Sequence, residues 1–197
     1  QMALLKRAAR YLLQAPRLIW KWPRQRMPGH LDLYSDTGWA GCPISRRSSS
    51  GIALKFGTHL WLFASTTQVP IALSSGEAEL YGAVKGASRL LGAAALTRDL
   101  GLELQCRLFS DSSAARGVLA RRGCGKIRHI ETQTLWVQKA TQDKKLIIGV
   151  VLGTKNPANL GTKHLEAATI SRLCVSMSLG GHWTRGRLAT CNGVMTW

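Results

Sequence analysis

Acidic side chains are scarce in this sequence. Ten Asp and Glu stand against 27 Lys and Arg in 197 residues, a formal charge of +17. No apolar run reaches the roughly eighteen residues that a membrane span needs, and the basic N-terminal stretch has no small-residue cleavage site, so neither a spanning helix nor a signal peptide is expected. Zinc spacing is missing too: Cys42, Cys106, Cys124, Cys174 and Cys191 are an odd number, widely scattered, with no CxxC and no Cys/His pair. Reduced thiols in an intracellular compartment follow from that usage. No internal repeat is present. What remains is 45% apolar with seven Trp, a composition that builds a globular core rather than a disordered chain. The excess positive charge asks for a polyanionic partner, nucleic acid first and an anionic membrane second.

Against that basic background the few carboxylates stand out by position. Leu31 to Ser35 alternates as a strand, and the text LDLYSDTGWAG sets Asp36 just before a turn of small residues. Gly51 to Phe56 and His59 to Ala64 read as two strands joined at Gly57-Thr58, a meander with the first. Ser74-Ser75 is an N-cap signal for a long helix from about Gly76 to Asp99, closed by Gly101. Cys106 to Ser110 is another strand, ending at Asp111, with a short helix over Ser112 to Arg121. His129 to Thr141 reads as a helix, Lys145 to Leu152 as a strong buried strand, and Pro157 onward as a last helical region running toward Met177. Upstream, Met2 to Gln14 has helical spacing with Lys6, Arg7 and Arg10 on a separate face, and Arg17 to Trp22 reads as a short strand. The pattern is α/β, a mixed sheet of about five strands flanked by helices.

Asp36, a glutamate of the long helix and Asp111 would meet where strand ends and helix starts converge. Crowded carboxylates repel and raise one another's pKa unless a cation lies between them. Mg²⁺ wants such oxygen ligands, and two ions about 4 Å apart can hold the attacking water and the leaving oxygen of a phosphodiester. Glu77 and Glu79 are about 200° apart on a helix and cannot both face the sheet. Glu79 shares its side with Ala83, Gly86, Ala87 and Leu90, whereas Glu77 shares its side with Tyr81, Lys85 and Ser88, which suit solvent. Glu79 is the expected ligand. Each acid also has a plainer use: Asp36 as a turn former, Asp111 as a helix N-cap, Glu79 as a capping-box partner.

The succession YSDTGWAG, SRRSSSG, ALSSGEAELYGA, FSDSSAA and NPANLGTKHL, over about Leu31 to Leu165, resembles the ribonuclease H domain of Copia-type LTR retrotransposon polyproteins. LLKRAARYL, upstream, resembles the segment linking reverse transcriptase to that domain. The resemblance implies a ribonuclease H-like fold, hydrolysis of the RNA strand of an RNA–DNA hybrid with 3′-hydroxyl and 5′-phosphate products, and two Mg²⁺ ions, with Mn²⁺ as an alternative. Carried over by position, Asp36, Glu79 and Asp111 match metal-binding carboxylates, Asp36 bridging both ions. The fourth family carboxylate falls on Asn159. An amide offers one neutral oxygen there, so the second ion should bind more weakly and activity should fall. A rival class is the same fold holding a hybrid without cutting it. A third is a structural part of a larger polyprotein.

The implied organisation is a connection segment over 1–28, the ribonuclease H domain over 29–178 and a basic tail over 179–197. The implied partner besides the hybrid is the reverse transcriptase portion of the same polyprotein, with no membrane. The implied location is a cytoplasmic virus-like particle or the nucleus. Hybrids are recognised through 2′-hydroxyls and phosphate geometry, and the turn beside Asp36 (Thr37, Gly38, Trp39) is placed for the RNA strand. Arg46, Arg47 and Ser48, Ser112, and the basic run Arg121, Arg122, Lys126 and Arg128 are candidates for nucleic-acid contact. Lys163, beside His164, is a candidate for approach to phosphate.

Overall fold

The computed structural model describes residues 2–14, 17–123, 125 and 135–181. The chain runs α1 (Met2–Gln14), β1 (Leu18–Trp20), β2 (His30–Gly38), β3 (Ser49–Phe56), β4 (His59–Thr67), α2 (Ser75–Asp99), β5 (Gln105–Ser110), α3 (Ser113–Ala120), α4 (Trp136–Gln142), β6 (Ile147–Val150), α5 (Ala167–Ser176) and β7 (Leu179–Gly181). Five strands form one sheet in the order β4-β3-β2-β5-β6. β2, β3 and β4 are an antiparallel meander, while β5 and β6 join β2 in parallel. The mixed five-stranded sheet is the one expected from the sequence.

Alternation along β2 sends successive side chains to opposite faces. Leu31 and Leu33 lie in a core with Ile52, Leu54 and Leu108, covered by Leu80, Ala83, Ala87 and Leu90 of α2 and by residues of α3 and α4. The other face carries a smaller core of Ala53, Leu60, Cys174, Met177 and Leu179, with Tyr34 against it, covered by α5. β1 and β7 pair antiparallel as a separate ribbon. The end of β1 and the segment after it lie against the β3–β4 hairpin: Trp20 Nε1 donates to the Leu60 carbonyl at 2.7 Å and Gln25 Nε2 to the Phe56 carbonyl at 2.9 Å. No helix among the described residues is long and apolar enough to cross a membrane.

Two expectations need correction. The strand foreseen over Lys145 to Leu152 is only the four residues of β6, exposed at both ends, because it lies at the sheet edge and, among the described residues, pairs with β5 alone. The last helical region is broken: Pro157–Gly161 is a 3-10 segment, the chain is irregular through 162–166, and α5 then runs Ala167–Ser176. The first part of the helix foreseen over His129 to Thr141 lies outside the described residues, and α4 begins at Trp136.

Gly51 lets the 3-10 segment reach the sheet. It pairs with Asp36 across β2 and β3, and a Cβ there would stand 2.5 Å from the Ala158 carbonyl oxygen. Replacing Gly by Ala in a strand normally helps by about 0.5–1 kcal/mol, but here backbone must move. Gly51→Ala is expected to lose about 2 kcal/mol in urea unfolding through overpacking; an unchanged or raised midpoint would contradict this account.

Candidate metal centre

β2 and β5 run side by side only as far as the Tyr34–Phe109 pair. β2 then continues along β3, while the chain leaves β5 for α3. The crevice beyond the carboxyl ends of diverging parallel strands is where open α/β sheets place their ligands. Asp36 and Asp111 both occupy that crevice. α2 enters it from the side, and the Thr37 backbone N–H donates to Glu79 Oε1 at 3.3 Å. Asp36, Glu79 and Asp111 thus present carboxylate oxygens within 4.8 Å of one another.

The plainer roles belong to other residues. Asp36 sits inside β2 and is 1% exposed, so it forms no turn. α3 is capped by Ser112, whose hydroxyl accepts from the Ala115 N–H at 3.2 Å. α2 is capped by Ser74, whose hydroxyl accepts from the Glu77 N–H, and Glu77 reaches back to accept from the Leu73 N–H at 2.9 Å. Glu77 was expected to face solvent. It is instead 2% exposed, held also by the Tyr81 hydroxyl at 3.0 Å. The serine-x-x-glutamate spacing at Ser74 and Glu77 is a capping-box signal that the helical-wheel reading passed over.

The electrostatics of the cluster favour a cation. Burial, then the neighbouring Asp36 and Asp111 charges, push the Glu79 carboxyl up to about 8, against the opposing pull of the Thr37 N–H and Lys163. Glu79 Oε2 is buried with no hydrogen-bond partner among the described residues. A hard divalent ion fits this donor set: it takes oxygen ligands, satisfies the orphaned oxygen and offsets the repulsion.

The far wall is the turn after β6. The buried Asn156 donates from Nδ2 to the Ser35 carbonyl at 2.9 Å and accepts the Ala158 N–H, fixing the 3-10 segment beside β2. From there the Thr162 hydroxyl donates to Asp36 Oδ2, and Lys163 Nζ donates to Asp36 Oδ1 at 2.8 Å. Lys163 Nζ also reaches Asn159 Oδ1 at 2.9 Å, and Asn159 Nδ2 donates to the Gly153 carbonyl at 2.6 Å. Lys163, expected near phosphate, points at Asp36. Asn156 and Thr162 were missed. Asn-Pro at 156–157, an N-cap before a proline at the first helical position, was the available signal for Asn156.

The expected nucleic-acid residues divide. Thr37 and Ser48 are buried and used inside the protein: the Thr37 hydroxyl donates to the Ala78 carbonyl, and the Ser48 hydroxyl accepts from the Ala40 N–H. Ser112 is occupied as the α3 cap. Gly38 lies under the Thr162 backbone. Trp39 is half exposed, anchored by Nε1 to the Ala72 carbonyl at 3.0 Å, and Arg46 and Arg47 are exposed on the next loop. Arg122 is exposed and donates to Gln142, and Arg121 is partly buried. Lys126, Arg128 and His129, together with the tail from residue 182, lie outside the described residues. A groove of about 770 Å³ between β3, β4 and α2, lined by Gln68, Tyr81, Lys85 and Trp136 among others, was not foreseen.

No family model matches the chain. It is 26% identical, over 133 residues, to the retrovirus-related Pol polyprotein from transposon TNT 1-94 of Nicotiana tabacum; this is 66% of the chain but only 10% of that polyprotein. Among solved structures it resembles LC11-RNase H1, isolated from compost (TM-score 0.45, 15% identity, 65% of this chain and 88% of that one). It also resembles the N-terminal ribonuclease H domain of a Mycobacterium tuberculosis protein (TM-score 0.46, 14% identity, 75% and 97%). A sequence relative is thus a retrotransposon polyprotein, of which the chain spans about a tenth, and the chain's own sheet has the mixed order β4-β3-β2-β5-β6.

Proposed function

We propose that this chain is the ribonuclease H domain of a retrotransposon polyprotein, a metal-dependent endonuclease acting on the RNA strand of RNA–DNA hybrids. The observation that carries the reading is the meeting of Asp36, Glu79 and Asp111 at the diverging ends of β2 and β5, with Glu79 Oε2 left unpartnered. Their order along the chain is that of the motifs through which the sequence resembles Copia-type domains. Asp36, Glu79 and Asp111 would hold a divalent ion, Mg²⁺ first and Mn²⁺ as the alternative, and Asn159 is the weak counterpart where the family has a fourth carboxylate. When bound, such an ion supplies an activated water and charge stabilisation for phosphodiester hydrolysis.

The protein's own groups do the rest. Thr37 N–H and the α2 backbone orient Glu79, while Asn156 and Thr162 fix the wall that faces Asp36. Trp39, Arg46 and Arg47, exposed on the turn and loop that follow β2, would meet the RNA strand. Across α2, the groove with Lys85 and Trp136 offers a cation and an aromatic face, a pairing suited to the second strand. The residues 1–28 would join the domain to the reverse transcriptase part of the polyprotein.

The test is cleavage of an end-labelled RNA–DNA hybrid in Mg²⁺ or Mn²⁺, beside duplex DNA of the same sequence. Cutting of the RNA strand alone, abolished by chelator, is expected. Salt-sensitive binding with no cutting in either metal would favour the rival reading, a hybrid-binding module, for which Asn159 in place of a carboxylate is the specific observation.

A further inference from the structure

The geometry points to Lys163 as a built-in cation that occupies the position between Asp36 and Asn159, so that the centre takes one divalent ion rather than the two the resemblance implies. The inference rests on the metal-centre reading above and names how that centre is filled. Lys163 Nζ lies 2.8 Å from Asp36 Oδ1 and 2.9 Å from Asn159 Oδ1. These two side chains are the ones a second ion would need.

Asn159 is adapted to that arrangement. Its oxygen accepts from the ammonium, and its Nδ2 donates to the Gly153 carbonyl at 2.6 Å. A carboxylate has no proton to donate, so an aspartate in this pose would set an anionic oxygen against the Gly153 carbonyl. The amide is therefore a working part of the wall, fitted to Lys163 on one side and to backbone on the other.

Charge gives the same count. With Glu79 ionised, as ligation of a cation requires, Asp36, Glu79 and Asp111 contribute three negative charges and Lys163 returns one, leaving two, the charge of a single divalent ion. The two sides of the centre also differ in what they lack. Both Asp36 oxygens already accept from Thr162 and Lys163 on the wall side, whereas Glu79 Oε2 lies buried without a partner on the carboxylate side. The carboxylate side thus has an oxygen free to ligate a cation, while the wall side is held by the chain's own ammonium. A second Mg²⁺ would have to shed water and displace an ammonium that the chain itself holds in place, with only a neutral amide to receive it.

A simple ion pair that merely fastens the turn would look similar in a static picture, but it predicts a different response to metal. The experiment is a Mn²⁺ titration of the full chain, counted by electron paramagnetic resonance of free ion and by calorimetry. One ion is expected for the native chain. Lys163→Met, with Lys163→Gln as a second variant in case the first folds poorly, is expected to bind that ion at least tenfold more tightly. Asn159→Asp combined with Lys163→Met is expected to take two ions. Two ions in the native chain, or unchanged or weakened affinity in both Lys163 variants, would overturn the inference and leave the metal centre standing. No Mn²⁺ bound by any variant would instead remove the metal centre, and this inference with it.

Discussion

Asp36→Asn is expected to lower hybrid cleavage at least about 10³-fold while leaving the fold and low-salt hybrid binding intact. Asp36 is 1% exposed and lies where all three carboxylates meet. The amide keeps its shape, so β2 and its pairing with Gly51 are preserved. What is lost is a negative charge and one of two acceptor oxygens: Nδ2 would either oppose the Lys163 ammonium, which can only donate, or oblige the Thr162 hydroxyl to turn and accept. A metal ligand supplies several kcal/mol of transition-state stabilisation, and a loss of about 4 kcal/mol is about 10³-fold in rate. Asp32 on the same strand is the control. It is buried too, but it accepts two bonds from Arg107, at 2.6 and 2.7 Å, away from the cluster. Asp32→Asn is expected to cost about 1–2 kcal/mol of stability and to leave the cleavage rate of folded protein within a few fold. Matched cleavage assays at equal folded concentration decide the matter. Residual activity above a tenth in Asp36→Asn, or equal losses in the two variants, would end the catalytic assignment of Asp36.

The reading of the sequence was strongest where one local signal decided the outcome. Alternation placed β2, Ser74 marked the start of α2, and the small-residue face of Ala83, Gly86 and Ala87 turned Glu79 toward the sheet end. It failed where neighbours distant in sequence decide. Glu77 looks solvent-facing on a helical wheel, but the chain before α2 folds back and gives it the Leu73 N–H. Ile147 looks like core, yet among the described residues nothing pairs with the outer edge of β6, and it is 46% exposed while Ile148 is only partly buried. The run after Pro157 has no strong internal breaker before Gly161, and the tie that holds it in a 3-10 turn is Asn156 to Ser35, across 121 residues. The same holds for Lys163. Its place against Asp36 follows from the turn that Asn156 sets, and no spacing along the chain records it.

Glu79 should make the metal-free protein less stable as pH rises. Its carboxyl is raised to about 8 from an ordinary value of 4.5, chiefly by burial and then by Asp36 and Asp111. Below about 4.5 both folded and unfolded chains hold the proton, and the residue costs nothing. Between there and about 8 the unfolded chain has released it while the folded chain retains it, so the folded state binds more protons and stability falls with each unit of pH. Above about 8 the full cost of the buried charge remains. Because Glu79 is partly open to solvent, the total is about 2–3 kcal/mol rather than the larger figure the bare shift gives. Glu79→Gln is isosteric and cannot ionise. In chelator it is expected to match the native chain near pH 5 and to be more stable by that amount at pH 8.5, measured by urea unfolding at each pH. Excess Mg²⁺ or Mn²⁺ should reverse the order at high pH, because the ion binds the ionised carboxylate and stabilises only the folded chain that holds it. Parallel pH profiles for the two proteins, with and without metal, would show that Glu79 neither bears the strain of the cluster nor receives the ion.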